Sequence, residues 1–364
     1  MSRPRARELG IVVGTLPPGP QNAITDVQGV RVGHATLVEG DAVRTGVTVV
    51  HPHEGNAWEE PVFAGSHRLN GNGELTGLEW IRESGLLTSP IGLTNTNSVG
   101  VVRDSLIAAE VEDRGGGDFW SLPVVGETWD GVLNDISGMH VRGEHVRAAL
   151  ASAAAGPVAE GNVGGATGMI CHGFKGGIGT ASRVVEDVGG HAVGVLVQAN
   201  YGRRERLRVD GVPVGASIPA SEVPLPGEAG AAPGGSIIVL VATSAPLLPD
   251  QCRRLAQRAG LGIARMGGVG ENSSGDLFLC FSTGNRGLPA GDLAAATPLT
   301  VPLEMVPAQR LTPLFDAVVE ATEEAILNAL CAAETMTGRA GATAHALPAE
   351  RVSDLVAQSG AARS

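Results

Sequence analysis

Two hydrophobic rhythms alternate along the chain. Short runs of β-branched and apolar residues recur at Val30–Val32, Val47–Val50, Val193–Val197, Ile237–Val241 and Leu277–Phe281. Glycine and Asn/Asp clusters bound these runs, a pattern that predicts strands joined by tight turns. Other stretches carry apolar residues at helical spacing. Glu74–Glu83 holds Leu75, Leu78 and Ile81, and the Ala-rich His145–Ala155 stops at Gly156. Pro249–Ala259 gathers Cys252, Leu255, Ala256 and Ala259 on one face, with Arg253, Arg254 and Gln257 off it. The longest predicted helix starts at Thr312 as N-cap, has Pro313 at its first position, and runs through Leu314, Val318, Ile326, Leu327 and Leu330. A short helix is expected near Ala349–Ala357. Strands mixed with helices predict an α/β class.

One segment breaks the pattern. Ala216–Gly234 contains four prolines, several small residues and Glu228, with little apolar periodicity, and reads as a flexible surface loop. GGSIIVLVAT, a strongly strand-like run, follows directly. A mobile linker that meets a buried strand at the Gly235–Ser236 bond has a chemical reading. The Ser236 hydroxyl can attack the preceding carbonyl, exchanging the amide for an ester that water releases. Glycine at 235 removes a side chain that would crowd the attack. The liberated Ser236 would hold a hydroxyl beside an α-amine of reference pKa about 7.7–8.0, a nucleophile next to its own base. Taken alone, a Gly-Ser pair before a strand reads as an ordinary strand start, and the chemical reading needs further residues.

Composition narrows the classes. The 364 residues are 43% hydrophobic, enough for one large α/β domain or two smaller ones. The 53 glycines follow no three-residue period and alternate with Val, Ile and Leu runs, which excludes collagen and disorder. A formal charge of −12 repels nucleic acid and anionic membranes. Cys171, Cys252, Cys280 and Cys331 match neither a zinc pattern nor a CxxC redox pair. The start, MSRPRARELGIVVG, lacks the apolar run of a secretory signal, and no stretch reaches the roughly 18 apolar residues of a membrane span. The expectation is a cytoplasmic, soluble protein. His51, His53 and His172 belong to a set of nine histidines with no ligand spacing, so neither metal nor cofactor is expected. GNVGGATG and FKGGIGT tempt a phosphate-loop reading, but Lys175 precedes its glycines where that loop needs lysine after them. Close backbone packing is the expected role of both.

An ordered series of longer blocks goes further. NAITDVQGVRVGHATL and VRTGVTVVHP come first, then NGNGELTGLEWIRESGLL, PIGLTNTNSVGVVRD and PVVGETWDGVLNDI. GNVGGATGMICHGFKGGIGTASRVV, VGVLVQANYG, GGSIIVLVATSAPLLPDQCRRLAQRAGLGIARMG and SSGDLFLCFSTGNR follow. Over nearly its whole length the chain resembles the peptidase family of the L-aminopeptidase/D-esterases and β-peptidyl aminopeptidases. The resemblance implies a four-layer α-β-β-α sandwich, like the N-terminal-nucleophile hydrolases but with different strand connectivity. It implies self-cleavage of a single domain into residues 1–235 and 236–364, and a homo-oligomer, often a tetramer, of cleaved protomers.

It also implies roles for particular residues. Ser236 is the nucleophile of self-cleavage and of turnover. Its own amine, or Ser274 with Asp276, is the activating base; many members carry Glu at this carboxylate, and the shorter Asp276 puts its contact with Ser274 in question. If Ser274–Asp276 is extended, both side chains share a face. Asn200, at the end of VGVLVQAN, is the donor to the oxyanion. Glu127 receives the substrate ammonium through a charge-assisted bond. Trp129, where some members carry Tyr, has no hydroxyl and becomes a pocket wall. Asn95, Thr96 and Asn97 are expected to bond loop backbone rather than line the cleft. The implied activity is that of a cofactor-free serine aminopeptidase or amidase. It would take a short peptide, amide or ester with a free amino end, whose first residue is small and of α or β type. Two rivals stand beside it: a related hydrolase of linear amide oligomers, whose nucleophile is Thr rather than Ser, and an uncleaved binding or scaffold protein of the same fold.

Overall fold

The computed structural model describes residues 3–116, 118–227, 235–289 and 298–361. In chain order the first half supplies β1 (Arg31–Glu39), β2 (Val43–His51), β3 (Val62–Arg68), α1 (Leu78–Ser84), β4 (Leu86–Leu87), β5 (Ile91–Asn95), α2 (Val99–Asp113), β6 (Val124–Thr128) and α3 (Gly143–Ala151). The second half supplies β7 (Ile170–Cys171), β8 (Phe174–Lys175), β9 (Gly177–Val185), β10 (His191–Asn200), β11 (Ser236–Thr243), α4 (Pro249–Arg265), β12 (Asp276–Ser282), α5 (Thr312–Ala332) and α6 (Ala349–Ala361).

These strands form a four-stranded sheet, β1-β2-β5-β6, and a six-stranded sheet, β4-β3-β12-β11-β10-β9. Alternation along β11 explains their stacking. Ile238, Leu240 and Ala242 meet Val50, Ile91 and Leu93 of the smaller sheet in one apolar layer. Ile237, Val239 and Val241 point the other way, into a layer shared with Leu255, Ala259, Leu314 and Val318 of α4 and α5. The smaller sheet is capped on its outer face by α2 and α3 through Val47, Val49, Val102, Leu106 and Val146. The result is the expected α-β-β-α sandwich. Strands buried on both faces read as unbroken apolar runs, which is why β11 and β12 stand out in the sequence.

Several local expectations shift. The helix expected over Glu74–Glu83 begins four residues later. Leu75 bridges to Gly126, Thr76 N–H bonds Val125 O, and Gly77 turns at φ 73°, so Glu74–Thr76 runs extended beside β6. The helix expected over His145–Ala155 ends at Ala151, because Ala154 leaves it to bond Val32 of β1. Thr312 is the first helical residue and makes no side-chain cap. α2 was not foreseen; three valines and Gly100 in its first half mask the helical period. The Ala216–Gly234 segment is not wholly a free loop. Ile218 is fully buried, and the Arg204 guanidinium bonds the Ile218 and Val223 carbonyls. Residues 228–234, Glu228 and Gly234 among them, lie outside the described residues. Cys171, Cys252, Cys280 and Cys331 are buried free thiols. Among the described residues no helix is long and apolar enough to cross a membrane.

Candidate active site

Strand register brings Ser236 to its neighbours. β11 begins at Ser236 itself, pairs antiparallel with β10 so that Ser236 lies opposite Asn200, and pairs parallel with β12 so that Ile237 lies beside Asp276. The ends of three adjacent central strands thus meet at one edge between the sheets. Ser236 is 6% exposed, and its Oγ accepts the Gly275 N–H at 3.0 Å.

Gly235 has a steric reason as well as a chemical one. A Cβ there would stand 1.5 Å from the Asn200 carbonyl oxygen and 3.0 Å from Tyr201 Cα. Only a residue without a side chain lets the approach to Ser236 pass this close to β10.

Ser274 Oγ donates to Asp276 Oδ1 at 2.6 Å, so the shorter carboxylate keeps its contact. The Ser-Gly-Asp segment is extended enough to place both side chains together. Asp276 is almost fully buried, and burial pushes its carboxyl above the usual range against the opposing bonds from Ser274, Ile237 and Asn70. The raised carboxyl makes Asp276 a stronger proton acceptor than an ordinary carboxylate, placed to polarise the Ser274 hydroxyl.

Asn200 is held on both sides. Its Oδ1 accepts the Ile170 N–H at 2.8 Å, and Nδ2 donates to the Trp129 carbonyl at 2.9 Å. That leaves the second N–H of the amide. The turn before Ile170 is held in turn by Lys175, fully buried, whose Nζ donates to the carbonyls of Met169 at 2.8 Å and Gly176 at 2.7 Å. Burial lowers the Lys175 ammonium to about 7. Lys175 therefore supports the Asn200 region through backbone, as the close-packing reading of FKGGIGT requires.

Glu127, at the end of β6, is 3% exposed. Oε1 accepts the Glu74 N–H at 2.9 Å and Oε2 accepts the Thr96 hydroxyl. Burial raises its carboxyl above the usual range, and these two bonds oppose the rise. Gly73 links this carboxylate to the serine: a Cβ on Gly73 would lie 3.0 Å from Gly275 Cα and 3.1 Å from Glu127 Oε1. Gly73 therefore packs against both Glu127 and Gly275, the residue whose N–H reaches Ser236 Oγ. Trp129, a residue 45% exposed, reaches the site through its carbonyl, while its ring lies against Gly131.

Of the Asn95–Asn97 group, Asn95 bonds Thr45 and Asn97 bonds the Ile136 carbonyl, as structural residues. Thr96 departs from the expectation and touches Glu127. Sequence reasoning also missed Asn70, Asn72, Gly73 and Gly275. All four act through backbone or lie across the fold from the groups they contact, so spacing carries no sign of them; the repeated Asn-Gly of NGNGE signals only a turn.

The model of peptidase family S58 matches residues 22–344. The chain belongs to peptidase family S58. Among S58 relatives, the β-peptidyl aminopeptidase BapA of Sphingosinicella microcystinivorans is 48% identical over 95% of this chain and 90% of its own. A β-aminopeptidase structure from Burkholderia sp. superposes with a TM-score of 0.93 at 56% identity, covering 98% of this chain and 99% of that one. The L-aminopeptidase D-Ala-esterase/amidase of Ochrobactrum anthropi, described as a prototype for the serine aminopeptidases and a new variant of the Ntn-hydrolase fold, superposes at 0.89 with 43% identity over the same shares. This S58 chain is accordingly a serine aminopeptidase/amidase on a variant N-terminal-nucleophile fold.

Proposed function

We propose that the protein cuts itself between Gly235 and Ser236 into residues 1–235 and 236–364, and that the new terminal Ser236 removes a small residue of α or β type from the free amino end of short peptides, amides or esters. One observation carries this reading: β11 starts at Ser236, with Asn200 opposite it and the Gly275 N–H on its Oγ. In the first reaction Ser236 Oγ bonds to the Gly235 carbonyl carbon, the C–N bond breaks, and the proton from Oγ goes to the departing nitrogen. Water then hydrolyses the ester, leaving a Gly235 carboxylate and a free Ser236 amine and hydroxyl.

Turnover repeats the attack on a substrate carbonyl. The Ser236 amine, or the Ser274–Asp276 pair, takes the Oγ proton. The free N–H of Asn200 donates to the oxyanion, and the leaving amine takes up a proton as its bond to the acyl carbon breaks. Water releases the acyl group from Ser236. Glu127 receives the substrate ammonium, and the half-exposed Trp129 forms an outer wall. A homo-oligomer, a tetramer of cleaved protomers, belongs to the same reading.

The packing of Gly235 favours substrates with an unsubstituted carbon next to the carbonyl. An acyl group bound where the Gly235 carbonyl sits has its neighbouring carbon against the Asn200 carbonyl, where a methyl has no room. Glycyl residues and β-residues, whose α-carbon is a CH₂, meet this condition directly; an α-substituted residue requires the acyl group to turn its substituent away from the Asn200 carbonyl. Relatives named as β-peptidyl aminopeptidases agree with it, whereas the neighbour named as an L-aminopeptidase D-Ala-esterase/amidase is named for residues that carry a substituent there.

Intact-mass measurement tests the reading. Wild-type protein is expected to yield a new chain starting at Ser236, and Ser236→Ala to yield one uncut chain without amidase activity. Turnover by Ser236→Ala would overturn the assignment. With N-blocked substrates spared and free-amine substrates lost, Glu127→Ala would separate an aminopeptidase from a hydrolase of amide oligomers.

A further inference from the structure

The strip Asn70–Glu74 touches both halves of the site. At one end Asn70 Oδ1 accepts the Asp276 N–H at 2.7 Å and Asn70 Nδ2 donates to the Glu271 carbonyl at 2.9 Å. In the middle, Asn72 Nδ2 donates to the Ser273 carbonyl at 2.7 Å and Asn72 N–H to Ser274 O at 3.3 Å. At the other end Glu74 N–H holds Glu127 Oε1. Gly275, whose N–H reaches Ser236 Oγ, packs so closely that a Cβ on it would stand 2.5 Å from Gly73 Cα.

We propose that this strip is the spacer between nucleophile and ammonium carboxylate, with Gly73 as the residue that determines which substrate backbone length fits. The inference rests on Glu127 receiving the ammonium. An α-residue has one carbon between its carbonyl and its amine, and a β-residue has two. Each added carbon lengthens the chain by up to about 1.5 Å. A gap bounded by hydrogen-bonded backbone at one end and by a side-chain carboxylate at the other distinguishes the two.

Gly73→Ala inserts one methyl into that gap. At 3.0 Å from Gly275 Cα and 3.1 Å from Glu127 Oε1, the methyl requires a neighbour to retreat by a few tenths of an ångström. Gly275 is tied down by the bonds of Asn70 and Asn72, so the carboxylate at the end of the Glu127 side chain gives way. The gap from Ser236 widens and longer substrates gain.

The test uses the mature, self-cleaved protein and two p-nitroanilides that differ by one CH₂, glycyl and β-alanyl. Gly73→Ala is expected to raise the β-alanyl:glycyl ratio of kcat/KM about tenfold, the effect of straining one charged hydrogen bond in the shorter complex. Asn72→Ala, which loosens the strip without adding bulk, is expected to bring the ratio toward one and serves if Gly73→Ala does not mature. Equal losses on both substrates in both variants, with the ratio unchanged, would show a merely structural strip and overturn the proposal. Glu127→Gln separates the two levels. If it leaves free-amine turnover intact, the ammonium reading fails and the spacer with it. If it abolishes that turnover while the ratios stay fixed in the strip variants, the spacer alone fails.

Discussion

Gly235→Ala is the sharpest test of self-cleavage, because its effect follows from one distance. The new methyl would stand 1.5 Å from the Asn200 carbonyl oxygen. Restoring ordinary contact requires β10 and the approach to β11 to separate by roughly 2 Å. That separation falls on the Ser236–Asn200 pair that begins β11. A displacement of 1 Å at a reacting centre costs about 10²-fold in rate, or roughly 2.7 kcal/mol of barrier. Processing of the variant is therefore expected to slow by at least about two orders of magnitude. A time course of intact mass after purification reads the rate. Thermal melting beside uncut Ser236→Ala shows whether the fold is kept, since the strain is confined to the end of one strand. A folded Gly235→Ala protein that matures at the wild-type rate would refute the claim that the Asn200 carbonyl limits this position.

Other outcomes follow from the same geometry. Asn200→Ala should lower kcat by about 10²–10³-fold, the usual loss for one oxyanion donor, and a fall under threefold would remove Asn200 from that role. Because burial raises the Glu127 carboxyl, its charge is lost at a less acidic pH than an ordinary carboxylate would lose it. The kcat/KM of wild type relative to Glu127→Gln, on a free-amine substrate, should fall as pH drops through that raised value; a ratio constant down to the ordinary carboxylate range contradicts the burial argument. Arg183, fully buried on β9, bonds Glu320 Oε2 at 3.0 Å and Glu324 Oε2 at 2.7 Å on α5. Cleavage would put these partners on separate pieces. Arg183→Ala removes one partner from each carboxylate, while Arg7 and Asn22 still hold Glu324 and the Thr15 and Leu16 N–H groups still hold Glu320, so it should cost about 1.5–3 kcal/mol in urea unfolding of the mature protein; a loss below about 0.5 kcal/mol would show that the ion pair is dispensable.

The sequence by itself determined the α/β class and the central strands, and the layering followed from the family resemblance. β11 and β12 are buried on both faces, so their apolar runs are visible without any partner, and the periodicity of α4 and α5 is equally local. It also pointed to Ser236, Asn200, Ser274, Asp276 and Glu127 through the order of whole blocks, not through any spacing between them. Only the tertiary structure decided what holds those groups. Thr96 meets Glu127 across two paired strands, Asn70 meets Asp276 across 206 positions of chain, and Gly275 acts through its N–H. The same holds for Glu74, which reads as the start of a helix and instead runs extended beside β6 to hold Glu127. Amphipathic period is written into neighbouring residues, whereas a hydrogen bond between distant strands depends on register, and register exists only once the sheets have formed.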